Sequence, residues 1–123
     1  MSILKEIYKY KIDFVNKQKK LHTESDIMNK LKNITSHDFI FSKKLKDEVY
    51  QTSIIGELKR ASPSLGNFVN EEINLSNIAQ IYEDCGVSCL SILTDEKYFK
   101  GSINDLIEIR KISTLPILRK DFI

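Results

Sequence analysis

Three side chains in this sequence combine a chemical type and a placement that could move protons: Glu57, Lys59 and Lys120. Glu57 and Lys59 sit two apart in the run Ile54-Ile55-Gly56-Glu57-Leu58-Lys59, and residues two apart on a strand share a face. Lys120 closes a second short apolar run, Leu115-Pro116-Ile117-Leu118-Arg119-Lys120-Asp121. Two ammonium groups held near each other and near one carboxylate are driven apart in pKa, which is how a lysine becomes a usable acid near neutral pH. Any one such lysine is more simply a strand-terminal charge reaching water, and two at corresponding strand ends shift that balance only modestly.

The neighbours of these residues have plainer readings. Asp121 is expected to hold a loop or pair with a neighbour. Arg119 faces away from Lys120 and is expected to form a helix-side ion pair. Thr94-Asp95-Glu96-Lys97 reads as a polar loop, with Tyr98 and Phe99 beyond it as either a lid over the core or a wall for an aromatic ligand. Periodicity leaves both open. His22 and His37 fall in a helical leader, where solvated or core-satisfied histidines are the default.

The elements that must position these groups follow from the pattern. Ile3, Leu4, Ile7, Tyr8, Lys11, Phe14 and Val15 recur at helical spacing and fade into Lys17-Gln18-Lys19-Lys20, a solvated basic face at a helix end. Glu24 to Leu31 and Phe39 to Leu45 give two further helices. A strand over Ile54 to Lys59 ends before Ser62-Pro63-Ser64, a stop no helix would choose. Asn74 or Leu75 to Cys85 then has helical spacing, with Gly86 as the residue after its C-cap. Val87 to Leu93 is a continuous apolar strand. Ser102 caps another helix with Asp105 three residues on, and Leu106, Ile107, Ile109 and Ile112 form its apolar stripe. The third strand opens at Pro116, a position that tolerates proline.

Apolar strands separated by helices indicate a parallel sheet covered by helices. Doubly wound sheets and β/α barrels both have the order βαβαβ, but no Gly-x-Gly-x-x-Gly or Walker lysine loop follows the first strand. The barrel is the better match, and it needs eight such units and about 250 residues. The expected fold is therefore α/β: an incomplete (β/α)8 TIM barrel over 51–123 that stops after its third strand, preceded by an N-terminal helical extension over 1–50. In such barrels charged groups at the C-terminal strand ends face the active site, so Glu57, Lys59 and Lys120 are expected to converge there. Three strands leave two unpaired edges, which makes self-association of the chain a second, non-catalytic expectation.

Composition narrows the class of ligand. Of 123 residues, 41% are hydrophobic and 29% charged, ordinary for a soluble globular domain. Nineteen basic against 17 acidic side chains leave a net charge of +2, too small for a nucleic-acid footprint. The expectation is a small-molecule site. Cys85 and Cys89 lack a neighbouring histidine that would complete a zinc set, and both are expected to be small buried apolar residues, so neither a metal nor a disulfide framework is implied. The N-terminus lacks the uninterrupted apolar stretch of a signal peptide, and no run approaches the roughly 20 apolar residues of a membrane span. A reducing cytoplasm is the expected setting.

Four blocks carry a resemblance: Gly56-Glu57-Leu58-Lys59-Arg60-Ala61-Ser62-Pro63-Ser64; Ile78-Ala79-Gln80-Ile81-Tyr82-Glu83; Ser91-Ile92-Leu93-Thr94-Asp95-Glu96-Lys97-Tyr98-Phe99 with Gly101-Ser102; and Leu115 through Ile123. Together with the helical leader they cover nearly the whole chain, and in this order they resemble the indole-3-glycerol phosphate synthase family of tryptophan biosynthesis. The resemblance implies a (β/α)8 barrel with an N-terminal helical extension and no cofactor. It also implies closure of a phosphorylated anthranilate-sugar, 1-(2-carboxyphenylamino)-1-deoxyribulose 5-phosphate, to indole-3-glycerol phosphate with loss of carbon dioxide and water. Lys120 would be the general acid, Lys59 would sit beside the substrate carboxylate, and Glu57 would hold both lysines. Ser62 and Pro63 would line the anthranilate end, and Phe99 and Phe122 would supply apolar walls. The family's Ser-Pro-Ser-Lys-Gly reads Ser62-Pro63-Ser64-Leu65-Gly66 here, one cation fewer. The general-base glutamate and the phosphate loops are expected beyond residue 123, so the chain alone is expected to be inactive. A neighbouring barrel enzyme, phosphoribosylanthranilate isomerase, is the alternative that the Glu57/Lys59 pair and Lys120-Asp121-Phe122 argue against.

Overall fold

The sequence alternation first becomes structure at β4 (Cys89–Leu93), where every residue is buried. In the computed structural model, which describes residues 2–34, 40–46, 52–67 and 73–123, β4 is the middle strand of a three-stranded sheet. It lies between β1 (Ile55–Leu58) and β5 (Ile117–Lys120), parallel to both. A strand covered on both faces needs apolar residues throughout rather than alternation. Val87 and Ser88, expected to open this strand, instead precede it: Ser88 Oγ accepts from the Ile54 amide at 3.2 Å and its own amide donates to the Ile54 carbonyl at 2.9 Å.

The chain forms two compact units, Met1–Asp38 and Phe39–Ile123. In the first, α1 (Ile3–Leu21) buries Ile7 while Ile3, Leu4, Tyr8 and Val15 stay exposed. Lys19 and Lys20 close its last turn, where cations suit the helix dipole. His22 is its exposed C-cap, and His37 lies outside the described residues. Helix α2 (Glu24–Leu31) begins with a reciprocal capping box between Thr23 and Asp26. The Thr23 hydrogen bonds hold the Asp26 carboxyl below its ordinary pKa.

The second unit holds the sheet. Helix α3 (Ile40–Leu45) starts from the first described residue of its segment, Phe39 lying outside the described residues. It packs on β4, where Cys89 Sγ donates to the Phe41 carbonyl at 3.9 Å. Past β1 the chain makes a small antiparallel hairpin, β2 (Ala61–Ser62) and β3 (Gly66–Asn67), where the sequence predicts only a stop. Helix α4 (Leu75–Asp84) is capped by Asn74, whose side chain accepts from the Ser76 amide at 2.9 Å, and ends at Gly86, which takes a positive φ of 82° that a side chain would resist. The expected polar loop after β4 is instead a single turn, α5 (Glu96–Phe99), started by Asp95, which accepts from the Tyr98 amide at 2.6 Å. Helix α6 (Ile103–Ile112) has Ser102 as its N-cap, as expected, with Ser102 Oγ accepting from the Asp105 amide at 3.0 Å.

The core lies between the sheet and α4 and α6: Leu58, Leu90 and Ile92 from the strands meet Leu75, Ala79 and Ile109 from the helices. Fully burying side chains of this size contributes about 1.5–3 kcal/mol each. Three expectations fail here. Ile107 and Ile112, assigned to the buried stripe of α6, are exposed, because the sheet reaches only the Leu106/Ile109 line. Ile81 of α4 is likewise exposed. Cys85 is exposed at the C-cap of α4, while Cys89 is buried and its thiol pushed up by burial.

Candidate active site

Side chains alternate along β1, so Leu58 enters the helix-facing core while Glu57 and Lys59 belong to the other face. Glu57 pairs in register with Ser91, Leu58 with Ile92, and Leu93 with Lys120. Lys59, one residue past that ladder, is therefore level with Leu93 and Lys120 at the C-terminal edge of the sheet. Both lysines reach back one layer to the same carboxylate. Lys59 Nζ donates to Glu57 Oε1 at 2.5 Å, and Lys120 Nζ donates to Glu57 Oε2. Lys120, 63 residues from Glu57 in sequence, thus shares that one anion with Lys59.

Partial burial raises the Glu57 pKa, but the hydrogen bonds and charges of Lys120 and Lys59 outweigh it, so the carboxyl lies below its ordinary value. Glu57 is ionised across the physiological range. With one anion against two cations, the cluster keeps a net positive charge facing outward from the strand ends, suited to an anionic ligand.

The two aromatic residues expected as apolar walls come from α5 and from the segment after β5. Phe99 of α5 and Phe122, two residues past Lys120, stand with ring centroids 5.9 Å apart at 43°, a tilted aromatic pair. Ser62 and Pro63 occupy the β2–β3 hairpin, which packs against α5. There Ser62 Oγ accepts from the Leu65 amide at 3.2 Å and lies 3.3 Å from Ser64 Oγ, so its hydroxyl serves its own turn. The structure brings Glu57, Lys59 and Lys120 into one cluster and Phe99 and Phe122 into one pair, and puts Ser62 and Pro63 on a separate hairpin.

Two supports around the cluster have no local signature in the sequence. Arg60, next to Lys59, makes a bidentate pair with Asp105 at 2.7 and 2.8 Å and also donates to the Lys100 carbonyl at 3.1 Å. Asp105 is raised by burial but brought below its ordinary pKa by Arg60 and Ser102, and Arg60 is raised chiefly by its hydrogen bonds to Asp105. The second support joins Thr94, Arg119 and Asp121. Arg119 Nε donates to Thr94 Oγ1 at 3.1 Å, Thr94 Oγ1 donates to Asp121 Oδ2 at 3.0 Å, and Arg119 approaches Asp121 at 3.7 Å. The expected helix-side ion pair of Arg119 is thus a strand-end one; Asp121 does pair with its neighbours, as expected. Partners 45 and 25 residues apart leave no local signal. Among the described residues, no group of three or more His, Cys, Asp or Glu side chains could hold a metal ion, and no helix is long and apolar enough to cross a membrane.

A parallel sheet with helices between its strands and a lysine–carboxylate–lysine cluster at its C-terminal strand ends defines a protein of the β/α class. The family model described as indole-3-glycerol phosphate synthase matches residues 4–123, and the chain belongs to that family, whose fold is a TIM barrel. Proteins named indole-3-glycerol phosphate synthase resemble it closely. That of Thermoanaerobacter pseudethanolicus is 40% identical over 121 residues, covering 98% of this chain and 45% of the relative. That of Prochlorococcus marinus is 40% identical over 123 residues, covering 99% and 41%. That of Aquifex aeolicus is 39% identical over 125 residues, covering 99% and 45%. The chain spans less than half the length of these relatives.

Proposed function

We propose that these residues form the first part of an indole-3-glycerol phosphate synthase, a carboxy-lyase of tryptophan biosynthesis, with 1–50 as helical extension and 51–123 as the opening βαβαβ of a (β/α)8 barrel. The observation that carries this is the Glu57 carboxylate shared by Lys59 and Lys120 at the strand ends, in a chain of this family. The substrate is 1-(2-carboxyphenylamino)-1-deoxyribulose 5-phosphate, and no cofactor takes part. Lys120 protonates the ketone oxygen as the ring carbon bearing the carboxylate attacks the carbonyl carbon. The carbon–carbon bond to the carboxylate then breaks to release carbon dioxide, and the new hydroxyl takes up a proton and leaves as water while the methylene beside the nitrogen gives one up, completing the indole. Lys59 faces the substrate carboxylate, Glu57 holds both ammonium groups, Ser62 and Pro63 border the anthranilate, and Phe99 and Phe122 flank its ring. Cations fixed beside developing negative charge are the main source of rate in such a site. The enzyme works in the cytoplasm.

The test joins this chain to the remaining length of the Thermoanaerobacter pseudethanolicus relative and follows indole fluorescence. The fusion should close the ring, and Lys120→Ala should lower kcat by about 10²–10⁴-fold, the share of a positioned acid. Unchanged turnover in that variant would remove Lys120 from the mechanism.

A second reading is favoured by the face that carries Glu57: Ile55 is 44% and Leu118 45% exposed there, and within the three-stranded sheet β1 and β5 each pair on one side only. Self-association through these edges would cover them. Light scattering of the 123-residue chain should then give a mass above the monomer; a clean folded monomer excludes it.

A further inference from the structure

The ammonium of Lys120 sits on a side chain 49% exposed on the last strand of the sheet, so side-chain packing does little to aim it. Its backbone, by contrast, is held. Past the last register pair the Thr94 amide donates to the Lys120 carbonyl at 2.9 Å, and Thr94 is only 5% exposed. The Thr94 hydroxyl donates to Asp121 Oδ2 at 3.0 Å and accepts from Arg119 Nε at 3.1 Å. Asp121, with its side chain 7% exposed, uses its other oxygen to accept from the Phe122 amide at 2.8 Å. That bond turns the chain so that Phe122 meets Phe99. One buried carboxylate thus anchors both the strand end behind Lys120 and the turn that presents an aromatic ring.

We propose that Asp121, acting through the Thr94 hydroxyl, is a positioning residue that aims Lys120 at Glu57 and couples that aim to the Phe99–Phe122 wall. The proposal rests on Lys120 as the acid but is tested without turnover. Without the Asp121 carboxylate, the end of β5 keeps the ladder and the Arg119–Thr94 hydrogen bond but loses its tie to the turn, and the Phe122 amide loses its acceptor. The ammonium then leaves Glu57 for water part of the time, and a lysine released from an ion pair acylates faster.

The experiment is competitive acylation of the 123-residue chain with acetic anhydride at neutral pH, read by peptide mass spectrometry as labelling of Lys120 relative to Lys111. Lys111 has its own exposed partner, Glu108, on α6 and serves as the internal standard. Asp121→Ala and Thr94→Val should each raise the Lys120:Lys111 ratio by about two- to fivefold, the range spanned by loss of an exposed ion pair. Asp121→Asn keeps an oxygen for Thr94 or for Phe122 and should return the ratio toward that of the parent. Thr94→Val is close in shape and keeps the test decisive if Asp121→Ala does not fold. An unchanged ratio in a folded variant overturns the proposal. So does equal acceleration at every lysine, which would mark general loosening. Because no substrate is used, failure of the ring-closure reading leaves this result standing.

Discussion

The Arg60–Asp105 pair is the connection whose loss should be most informative, because it ties the residue after Lys59 to the first turn of α6. Both hydrogen bonds are short, 2.7 and 2.8 Å, and the side chains are 24% and 15% exposed. Exposed pairs contribute about 0.2–1 kcal/mol, whereas hydrogen bonds to charged groups in protected sites contribute about 1.5–3 kcal/mol. Intermediate burial places the coupling at about 1–2 kcal/mol. A double-mutant cycle isolates it: urea unfolding of the parent, Arg60→Ala, Asp105→Ala and the double variant at pH 7. Arg60→Ala should cost more than the coupling alone, since it leaves Asp105 with Ser102 as its remaining partner in a part-buried place. The pH dependence has a definite sign. Asp105 titrates below its ordinary value, so the stabilisation is complete above its unfolded pKa and disappears as pH falls through the folded one. A coupling under about 0.3 kcal/mol, within the additivity expected of independent sites, or one that persists unchanged at pH 2, would refute the reasoning.

Two other expectations concern the same end of the sheet. A Cβ added at Gly101 would lie 2.7 Å from the Leu93 carbonyl carbon, a backbone atom of the central strand that cannot give way. Gly101→Ala should therefore destabilise by about 2 kcal/mol or more, read as a lower urea midpoint, and an unchanged midpoint would show that the α5–α6 turn can shift freely. Glu57 is depressed by its two lysines, so its contribution, about 1 kcal/mol for a carboxylate 28% exposed, should be present at pH 7 and lost on acidification. Glu57→Gln should remove most of that dependence, and equal stability of parent and variant at pH 7 would count against the shared-anion picture.

What could be read from the letters was local. Glu57 and Lys59 share a face because strand periodicity is two, and Ser102 with Asp105 caps α6 because an N-cap needs only neighbours three residues apart. The mainly apolar run Val87–Leu93 announced a strand, and its Cys89–Leu93 part is the one that forms, buried throughout. Illegible features were of two kinds. Very short elements carry no periodicity: α5 is four residues set by Asp95 and closed by Lys100 in a left-handed conformation, and β2 and β3 have two residues each. Partnerships at a distance were the other kind. The helix-facing side of β5 supplied Arg119, but only the register of β4 and β5, with Ile92 opposite Arg119 and Leu93 opposite Lys120, puts its guanidinium on Thr94.

The face that carries the site is graded along the strands, and the grading explains why one carboxylate serves two lysines. Near the N-terminal ends are Ile55 and Cys89, the latter covered by α3. Glu57, Ser91 and Leu118 form the next row, and Lys59, Leu93 and Lys120 the last. Had Glu57 stood in the last row it would compete with an anionic ligand for the same space. One row deeper, it draws both ammonium groups together from below and leaves their outer sides turned toward the strand ends. A glutamine there would keep the hydrogen-bonding shape but not the anion, so the two cations would repel and separate. The position of Glu57, as much as its charge, keeps two like charges side by side at the strand ends.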